Sequence, residues 1–362
     1  MIIKVETKKQ LKDFVYFPKT LYRDEPNYVY PFFRVLTKEL THLVLKQKTY
    51  HALLFVYNNK ILGRILYTFE RKSENESICY FSFFDFYEDI AVAKALVDRM
   101  AEHMKAEGVS RMEGPYAPYD PDTRRGVLTN RFDAMPSVFL TYNYPYYVDI
   151  YEKLGFLKVT DTLSISLPLT DAVYTKAERM GKLMKNANIT VTHLDRKHLA
   201  EDISAVASIM KEATTEMNYE SAPDEEKIAS VFREMSLFIE DEYVILAREK
   251  DTGRAVGFLV ILPELNQVFC RLKGSLDLIK YFLYKKKINK VRGWLQYVVP
   301  EYQRTTLLAA LLAYAGKSMQ KRGITAFEGG TVVEANERSF GVYRHFGGEI
   351  DKRYRIYYRE EK

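Results

Sequence analysis

Two stretches of the chain share one pattern of apolar and polar positions. In each, two short apolar runs flank a polar turn, and the second run opens with a glycine. The runs are residues 55–57 with 63–66, and residues 245–247 with 257–260. The turns are residues 58–60 and 250–253. The pattern predicts one β-hairpin in each half of the chain.

A helix followed by a short strand also occurs twice. Apolar residues recur at helical spacing in each half, which predicts an amphipathic helix with one buried face. The stripes are Val92, Leu96, Met100 and Met104, and then Leu308, Leu312, Ala315 and Met319. Gly108 and Gly323 follow the stripes and predict the helix ends. A strand ending in Glu-Gly, at residues 112–114 and 327–329, comes next in each case.

A third segment, a tyrosine followed by a glycine turn, completes the repeat. It lies at residues 151–156 in the first half and 343–348 in the second. All three segments keep one order, which is the signature of an internal repeat. Their spacing requires one insertion per half, around residues 116–145 and around residues 263–287.

The repeat and the chain length together predict two domains. A chain of 362 residues exceeds what one hydrophobic core usually supports. Strands alternate with helices in both halves, so we expect an α/β (α+β) fold, with a mixed, mostly antiparallel sheet flanked by helices in each domain. Residues 164–167 are expected to close the first sheet. The division then falls near Pro168, giving domains 1–168 and 169–362.

Charge and cysteine content narrow the classes of partner. The net charge of +6 gives a mild attraction to anions, weaker than nucleic-acid-binding proteins usually show. The basic cluster at residues 285–292 is interpreted as a solvated loop or helix end. Cys79, Cys270 and the histidines lack metal-ligand spacing, so no metal is expected. No apolar run approaches the roughly 20 residues that span a bilayer, so we expect a soluble, cytoplasmic protein without a membrane partner.

Two segments of the second half carry a family resemblance. Residues 298–303, Val-Val-Pro-Glu-Tyr-Gln, lead into an apolar helix. Residues 336–343 place an asparagine seven positions before a tyrosine, ahead of Gly347 and Gly348. Both resemble signatures of the GNAT superfamily of acyl-CoA N-acyltransferases, and residues 151–156 resemble the second signature again. The whole chain is also similar to a group of bacterial tandem-GNAT proteins.

The resemblance implies an acyl-CoA site in the second half. In GNAT proteins, backbone N–H groups at a helix start hold the pyrophosphate, and here that start would be residues 303–307. The amide of Val298 or Val299 would bind the thioester carbonyl. The side chains expected to add cofactor contacts are Gln303, Arg304, Thr305 and Thr306. The family usually carries glycine at positions 306 and 308, so a merely structural helix start remains an alternative.

The resemblance also suggests catalytic residues, each beside a structural alternative. Tyr343 would protonate the leaving thiolate, or it packs on the sheet. Asn336 would contact the cofactor, or it caps its helix. Glu328 and Glu334 are the candidate bases for the amine, and either can instead be an exposed side chain.

The first half lacks a comparable phosphate site. Residues 85–89 precede its helix and include three acids, which would repel a pyrophosphate. We therefore expect a degenerate domain with a structural or acceptor-binding role. Its insertion is rich in aromatic residues, and it either lines a pocket between the domains or packs as a surface loop.

The function implied is N-acyl transfer from acetyl-CoA or another acyl-CoA to an amine of a small molecule or peptide. Two alternatives stay open. A Fem-type transferase would use aminoacyl-tRNA, the one nucleic acid we would then expect as a partner. A non-catalytic ligand-binding or regulatory protein would keep the fold without the chemistry.

Overall fold

A computed structural model describes residues 1–73, 76–121, 123–185, 188–214 and 225–361. The fold is α/β, with one mixed, mostly antiparallel sheet flanked by helices. The strands are β1 (Ile2–Lys4), β2 (Tyr50–Tyr57), β3 (Lys60–Ser73), β4 (Glu76–Phe86), β5 (Arg111–Gly114), β6 (Val127–Leu128), β7 (Leu157–Pro168), β8 (Ile189–His193), β9 (Val244–Glu249), β10 (Ala255–Pro263), β11 (Lys290–Val298), β12 (Ala326–Val333) and β13 (Glu349–Glu360).

The helices lie between these strands and are mostly short. They are α1 (Lys8–Tyr16), α2 (Pro18–Leu21), α3 (Phe33–Leu40), α4 (Ile90–Ala106), α5 (Tyr146–Lys153), α6 (Asp171–Lys185), α7 (Leu199–Thr214), α8 (Glu225–Met235), α9 (Asn266–Leu272), α10 (Leu278–Lys285), α11 (Leu307–Lys321) and α12 (Glu337–His345). The chain continues from α3 in a π-helical segment, Thr41–Gln47.

The order of strands across the sheet reflects the internal repeat. From one edge to the other it is β1, β2, β3, β4, β5, β13, β7, β12, β11, β10, β9 and β8. Strands β2 to β5 thus follow one another inward from one edge, as β9 to β12 do from the other. Pairs β4–β5 and β11–β12 are parallel. The predicted fold class and the repeat are confirmed.

The predicted hairpins and helices form for identifiable local reasons. Asn58 and Asn59 both have positive φ angles, 47° and 59°, which the tight turn between β2 and β3 requires. All four apolar residues predicted for the first stripe are buried in α4. In α11 the stripe is shifted, because Leu308 is half-buried while Leu307 and Leu311 are fully buried.

The two halves exchange their last strands at the centre of the sheet. β7, from the first half, pairs with β12 and β13 of the second. β13 in turn pairs with β5 of the first half. The strand predicted at residues 164–167 is therefore present, but it closes the sheet of the other half. The hydrogen-bond ladder runs without a break between the halves, while the division at Pro168 remains a proposal.

The insertions differ in character. Residues 116–145 contain one short strand, β6, which pairs with β13. Residues 263–287 contain the helices α9 and α10. Over the residues described, no helix is long and apolar enough to cross a membrane. Within the same residues, no three His, Cys, Asp or Glu side chains come together in a way that could hold a metal.

Candidate active site

A cleft opens in the sheet where β11 and β12 separate. The two strands pair from Lys290–Arg292 to Ala326–Glu328 and then diverge. The register with β10 shifts between Val260 and Ile261, so that β11 carries one extra residue, Trp294. Such a bulge bends the strand that carries it. The remainder of β11 and the remainder of β12 therefore form the two walls of the cleft.

The edge of β11 presents a backbone donor to this cleft. The N–H of Val299 donates to the carbonyl of Val256 in β10, at 3.0 Å. Successive N–H groups along a strand point to opposite edges, so that of Val298 is directed toward the cleft. Nε2 of Gln303 donates to the carbonyl of Val298 at 3.1 Å and holds the strand end. Of the two amides proposed from the sequence, Val298 faces the cleft and Val299 belongs to the sheet.

Tyr343 of α12 bridges the two walls. Its ring lies against Phe327 of β12, with the centroids 6.1 Å apart. Its hydroxyl donates to Oε1 of Gln296 in β11, at 2.7 Å. The side chain is buried, and this burial raises the pKa of Tyr343 well above that of an exposed tyrosine. The hydroxyl is therefore protonated at neutral pH and can donate that proton.

Two glycines of β12 create the space for this arrangement. A Cβ on Gly329 would lie 2.7 Å from Cζ of Tyr343. A Cβ on Gly330 would lie 2.7 Å from the carbonyl oxygen of Gly293 in β11. Both distances are shorter than real Cβ contacts, so a side chain at either position would displace the tyrosine or the strand.

A pair of carboxyl groups lies where the cleft begins. The hydroxyl of Ser137 donates to Oε2 of Glu328, and it lies close enough to the side chain of Glu264 to lower the pKa of that carboxyl group. Oε1 of Glu264 accepts the amides of Val138 and Asn266, at 2.9 and 3.1 Å. Burial, and next the charge of Glu328, raise the pKa of Glu264 to about 7. Oε1 of Glu328 is buried and has no hydrogen-bond partner among the described residues.

The walls around the carboxyl pair come from both halves of the chain. Arg292 of β11 is buried and donates from Nη1 to the carbonyl of Val138. The ring of Phe139 packs against Trp294, with the centroids 5.5 Å apart. Residues 137–139 of the first insertion thus cover the carboxyl pair and the bulge in β11.

Comparison with known proteins finds two relatives that match the chain over nearly its whole length. No family model matches the chain. Protein YghO from Escherichia coli K12 is 28% identical over 97% of this chain and 93% of its own length. A bacterial ceramide synthase from Caulobacter vibrioides is 23% identical over 98% of this chain and 96% of its own.

The solved structures decide the fold. A tandem GNAT protein from the clavulanic acid biosynthesis pathway superposes with a TM-score of 0.58 at 11% identity, over 99% of this chain and 98% of that one. The chain has the tandem GNAT fold. At this level of identity the match establishes the architecture, and the chemistry has to be argued from the site.

The region proposed as the pyrophosphate site lies at the start of α11. This GNAT helix begins at Leu307, one turn later than the start at Gln303 inferred from the sequence. The hydroxyl of Thr305 accepts the N–H of Leu307, the first residue of the helix, at 3.2 Å. Arg304 is exposed, and Thr306 is half-buried. The amides in the first turn of a helix have no acceptor within the helix. Those that follow Leu307 therefore remain available to an anion.

The other two sequence candidates are placed at the rim. Oδ1 of Asn336 accepts the N–H of Ser339 at 3.2 Å, so the side chain caps α12. Glu334 forms an ion pair with Lys158 at 2.7 Å and accepts the N–H of Asp161 at 3.1 Å. Glu334 is thus bound to β7 and does not lie beside Ser137. Glu328, in contrast, lies beside Ser137.

The first half of this GNAT fold contains an equivalent of the cleft, between β4 and β5. Gly63 of β3 pairs with Phe86 of β4, as Gly257 of β10 pairs with Val298 of β11. β4 and β5 also pair over three residues before they part. The amide of Phe86 is therefore the counterpart of the amide of Val298.

In the first half, a tyrosine hydroxyl occupies the amide that corresponds to Val298. The N–H of Phe86 donates to the hydroxyl of Tyr147 at 3.1 Å. Tyr147 lies one helical turn before Tyr151, and Ser339 lies one turn before Tyr343. The helix position that holds Tyr147 in the first half therefore holds a small serine in the second. The cavity left beside Tyr147 is about 60 Å³. Ligand pockets usually exceed ~300 Å³, so this cavity is too small for a cofactor.

Three residues of the site were not predicted from the sequence. Glu264 follows a fully apolar strand directly, and Arg292 interrupts the apolar part of β11. Charged residues in such surroundings are almost never buried without a partner, which is the signal that could have found them. Ser137 sits in a loop with no distinguishing pattern, and its role becomes visible only when the chain is folded.

Proposed function

We propose that the chain is an N-acyltransferase, which moves an acyl group from an acyl-CoA to an amine at the cleft between β11 and β12. The observation that carries the proposal is the carboxyl pair Glu264–Glu328, joined by Ser137 at the base of a cleft edged by Val298 and Tyr343. We further propose that residues 169–362 hold the reacting groups. Residues 1–168 support them and contribute Ser137.

The residues present fit an acyl-CoA. When bound, the CoA thioester supplies an activated acyl carbonyl. The N–H of Val298, turned toward the cleft, is placed to bind that carbonyl oxygen as negative charge develops on it. The first-turn amides of Leu308 and Ala309, with exposed Arg304 beside them, offer the positive helix end that anions prefer.

The carboxyl pair supplies a path for the proton of the amine. Oε1 of Glu328, which lacks a partner among the described residues, accepts that proton. The hydroxyl of Ser137 donates to Glu328, and its contact with Glu264 lowers the pKa of that carboxyl group, as a donor does, so rotation of this hydroxyl between the two carboxyl groups would connect them. A pKa of about 7 lets Glu264 exchange a proton with little driving force at neutral pH.

Tyr343→Phe is expected to lower kcat by about tenfold and to leave KM nearly unchanged. The effect is modest because a thiol has a pKa of about 8.5, so the thiolate leaves readily without a proton. The ring still packs on Phe327, which preserves the fold. Initial rates of thiol release measure the change. An unaltered kcat would remove the role of acid from this tyrosine.

Glu264→Gln is expected to raise the free energy of unfolding above pH 7 by about 3 kcal/mol while lowering activity. Between the ordinary glutamate pKa of about 4.3 and about 7, the folded wild type binds the extra proton, so its stability falls as pH rises. Glutamine keeps the acceptor for Val138 and Asn266 but does not ionise.

Urea unfolding at a series of pH values measures this difference. The wild type should lose stability across that window, relative to the variant, and should gain kcat/KM as Glu264 ionises with an apparent pKa near 7. Parallel stability curves for the two proteins would show that Glu264 does not titrate in this range.

The acceptor we propose is the amino group of a long-chain amino alcohol. A ceramide is the amide that forms when such an amine is acylated. The support comes from the bacterial ceramide synthase of Caulobacter vibrioides, which aligns with 98% of this chain. The side chains of Val138, Leu265 and Val268 are buried together next to Glu264, so this carboxyl group lies in apolar surroundings.

Mass spectrometry of reaction products tests the proposal. The purified protein is incubated with acetyl-CoA or a long-chain acyl-CoA and, in separate reactions, a long-chain amino alcohol, a polyamine or an amino sugar. We expect an amide with the amino alcohol and stoichiometric release of CoA. An amide with a polar amine alone would refute the acceptor class. Thioester hydrolysis without any amide would refute N-acyl transfer.

A further inference from the structure

The helix α10, in the second insertion, exposes an unusual amount of apolar surface. Its exposed apolar side chains, with those just before it, are Leu276 (43%), Leu278 (46%), Ile279 (84%), Phe282 (53%) and Leu283 (64%). Ile279, Phe282 and Leu283 are spaced as neighbours on one helical face. We call these five residues the α10 patch. Contiguous exposed apolar surface of this kind marks a place where something docks.

Basic residues surround the α10 patch. The segment from residue 271 to residue 290 contains seven lysines and arginines against one acid, Asp277. Lys273, Lys280, Lys286 and Lys287 are all exposed. The net charge of the complete chain is +6, so this short segment accounts for the whole basic excess of the protein. The sequence alone indicates a solvated loop or helix end at this cluster, and the structure adds the apolar face beside it.

The opposite face of α10 holds the helix to the protein. Tyr281 is fully buried, and its ring meets Phe238 edge-on with the centroids 5.3 Å apart. Asp277 caps the helix by accepting the N–H of Lys280 at 3.0 Å. Lys285, at the other end, forms an ion pair with Glu240 at 3.1 Å. The patch is therefore presented by an anchored helix.

We propose that the α10 patch docks on the surface of an anionic lipid bilayer. An interfacial helix places its apolar face among the acyl chains while flanking lysines reach the headgroups. Charge complementarity favours this occupant over a second copy of the chain, because two patches face to face would bring two rings of lysines together. This proposal departs from the expectation, drawn from the sequence, that the protein has no membrane partner.

The insertion also connects the patch to the candidate site. Tyr281 of α10 and Leu272 of α9 share one buried cluster with Leu265 and Val138, which flank Glu264. A membrane-docked α10 would hold this apolar cluster close to the lipid. The docking itself does not depend on the proposed reaction and is tested without substrates.

Vesicle co-sedimentation tests the docking. The full chain is mixed with vesicles of phosphatidylcholine and phosphatidylglycerol in equal parts, or of phosphatidylcholine alone, at low and high salt. We expect binding to the anionic vesicles that weakens as salt rises. Ile279→Ser with Phe282→Ser and Leu283→Ser should weaken it at least about a hundredfold. Lys286→Gln with Lys287→Gln should weaken it by roughly thirtyfold.

A matched control removes exposed apolar surface elsewhere. Tyr57 and Leu157 are 61% and 58% exposed, and Tyr57→Ser with Leu157→Ser should bind vesicles like the wild type. Equal binding by the triple serine variant, or no binding of the wild type to anionic vesicles, would overturn the proposal. So would self-association in sedimentation velocity that the triple variant abolishes while lipid binding is absent, because a second copy would then be the occupant.

Discussion

Glu328→Gln is expected to lower kcat by between about a hundredfold and ten-thousandfold. Glutamine has nearly the same shape and can still accept the hydrogen bond from Ser137, so the wall of the cleft should persist. It cannot accept a proton, however, and the path from the amine to Glu264 is broken. The measurement is the initial rate of CoA release with saturating acyl-CoA and amino alcohol, together with the melting temperature.

Glu334→Gln provides the matched control for this variant. Both glutamates were candidate bases in the sequence, and they lie near each other on β12 and just beyond it. Glu334 is paired with Lys158 at the partly exposed rim, and such pairs contribute little to stability. We expect kcat to stay within about twofold of the wild type. Equal losses in the two variants would contradict the assignment of Glu328 as the base.

Ser339→Tyr is expected to abolish binding of the acyl donor. The variant introduces, in the second half, the residue type that closes the first half, where the hydroxyl of Tyr147 occupies the amide of Phe86. A tyrosine at position 339 would fill the cleft beside the amide of Val298. Titration calorimetry with acyl-CoA should show no heat of binding. The melting temperature should be retained or rise, because the added ring packs against the sheet.

Ser339→Ala is the control that separates the effect of filling the cleft from the effect of losing the serine side chain. The backbone N–H of Ser339, which donates to Asn336, remains in both variants. Donor affinity in the alanine variant should match that of the wild type. If the tyrosine variant bound acyl-CoA as tightly as the wild type, the donor would have to lie outside this cleft.

Local sequence signals were enough for most of the architecture. The hairpin turn at Asn58 and Asn59 needs left-handed backbone, and asparagine tolerates it, so the turn is visible in the sequence. The stripe in α4 follows from its helical period. The exchange of β7 and β13 was not predictable in this way, because either strand could have closed its own half with the same alternation of side chains.

The candidate site was predictable only where a motif is local. Val298 and Tyr343 lie in segments that resemble GNAT signatures, and both line the cleft. Asn336 was predicted as either a cofactor contact or a cap, and it is placed as a cap. The carboxyl pair was missed in part, because Glu264 and Ser137 meet Glu328 across long stretches of chain. Ser137 lies 191 residues before Glu328, and Glu264 is also far outside the span of any local motif, so neither partner leaves a spacing to detect.

The comparison of the two halves explains why one chain would retain two copies of a fold. In the first copy, Tyr147 occupies the amide of Phe86 and the cavity beside it is only about 60 Å³. The first copy supplies the loop at residues 137–139 that covers the carboxyl pair of the second copy. Neither half alone would complete the site that we propose.

Thermal unfolding with and without acyl-CoA tests the central claim most directly. The claim is that the open cleft of the second half binds the acyl donor. A ligand at a hundred times its Kd stabilises the folded protein by roughly 2.7 kcal/mol, a clear shift in melting temperature. We expect that shift with acetyl-CoA or a longer acyl-CoA for the wild type, and none for Ser339→Tyr. No shift of the wild type with free CoA or with any acyl-CoA would contradict the account.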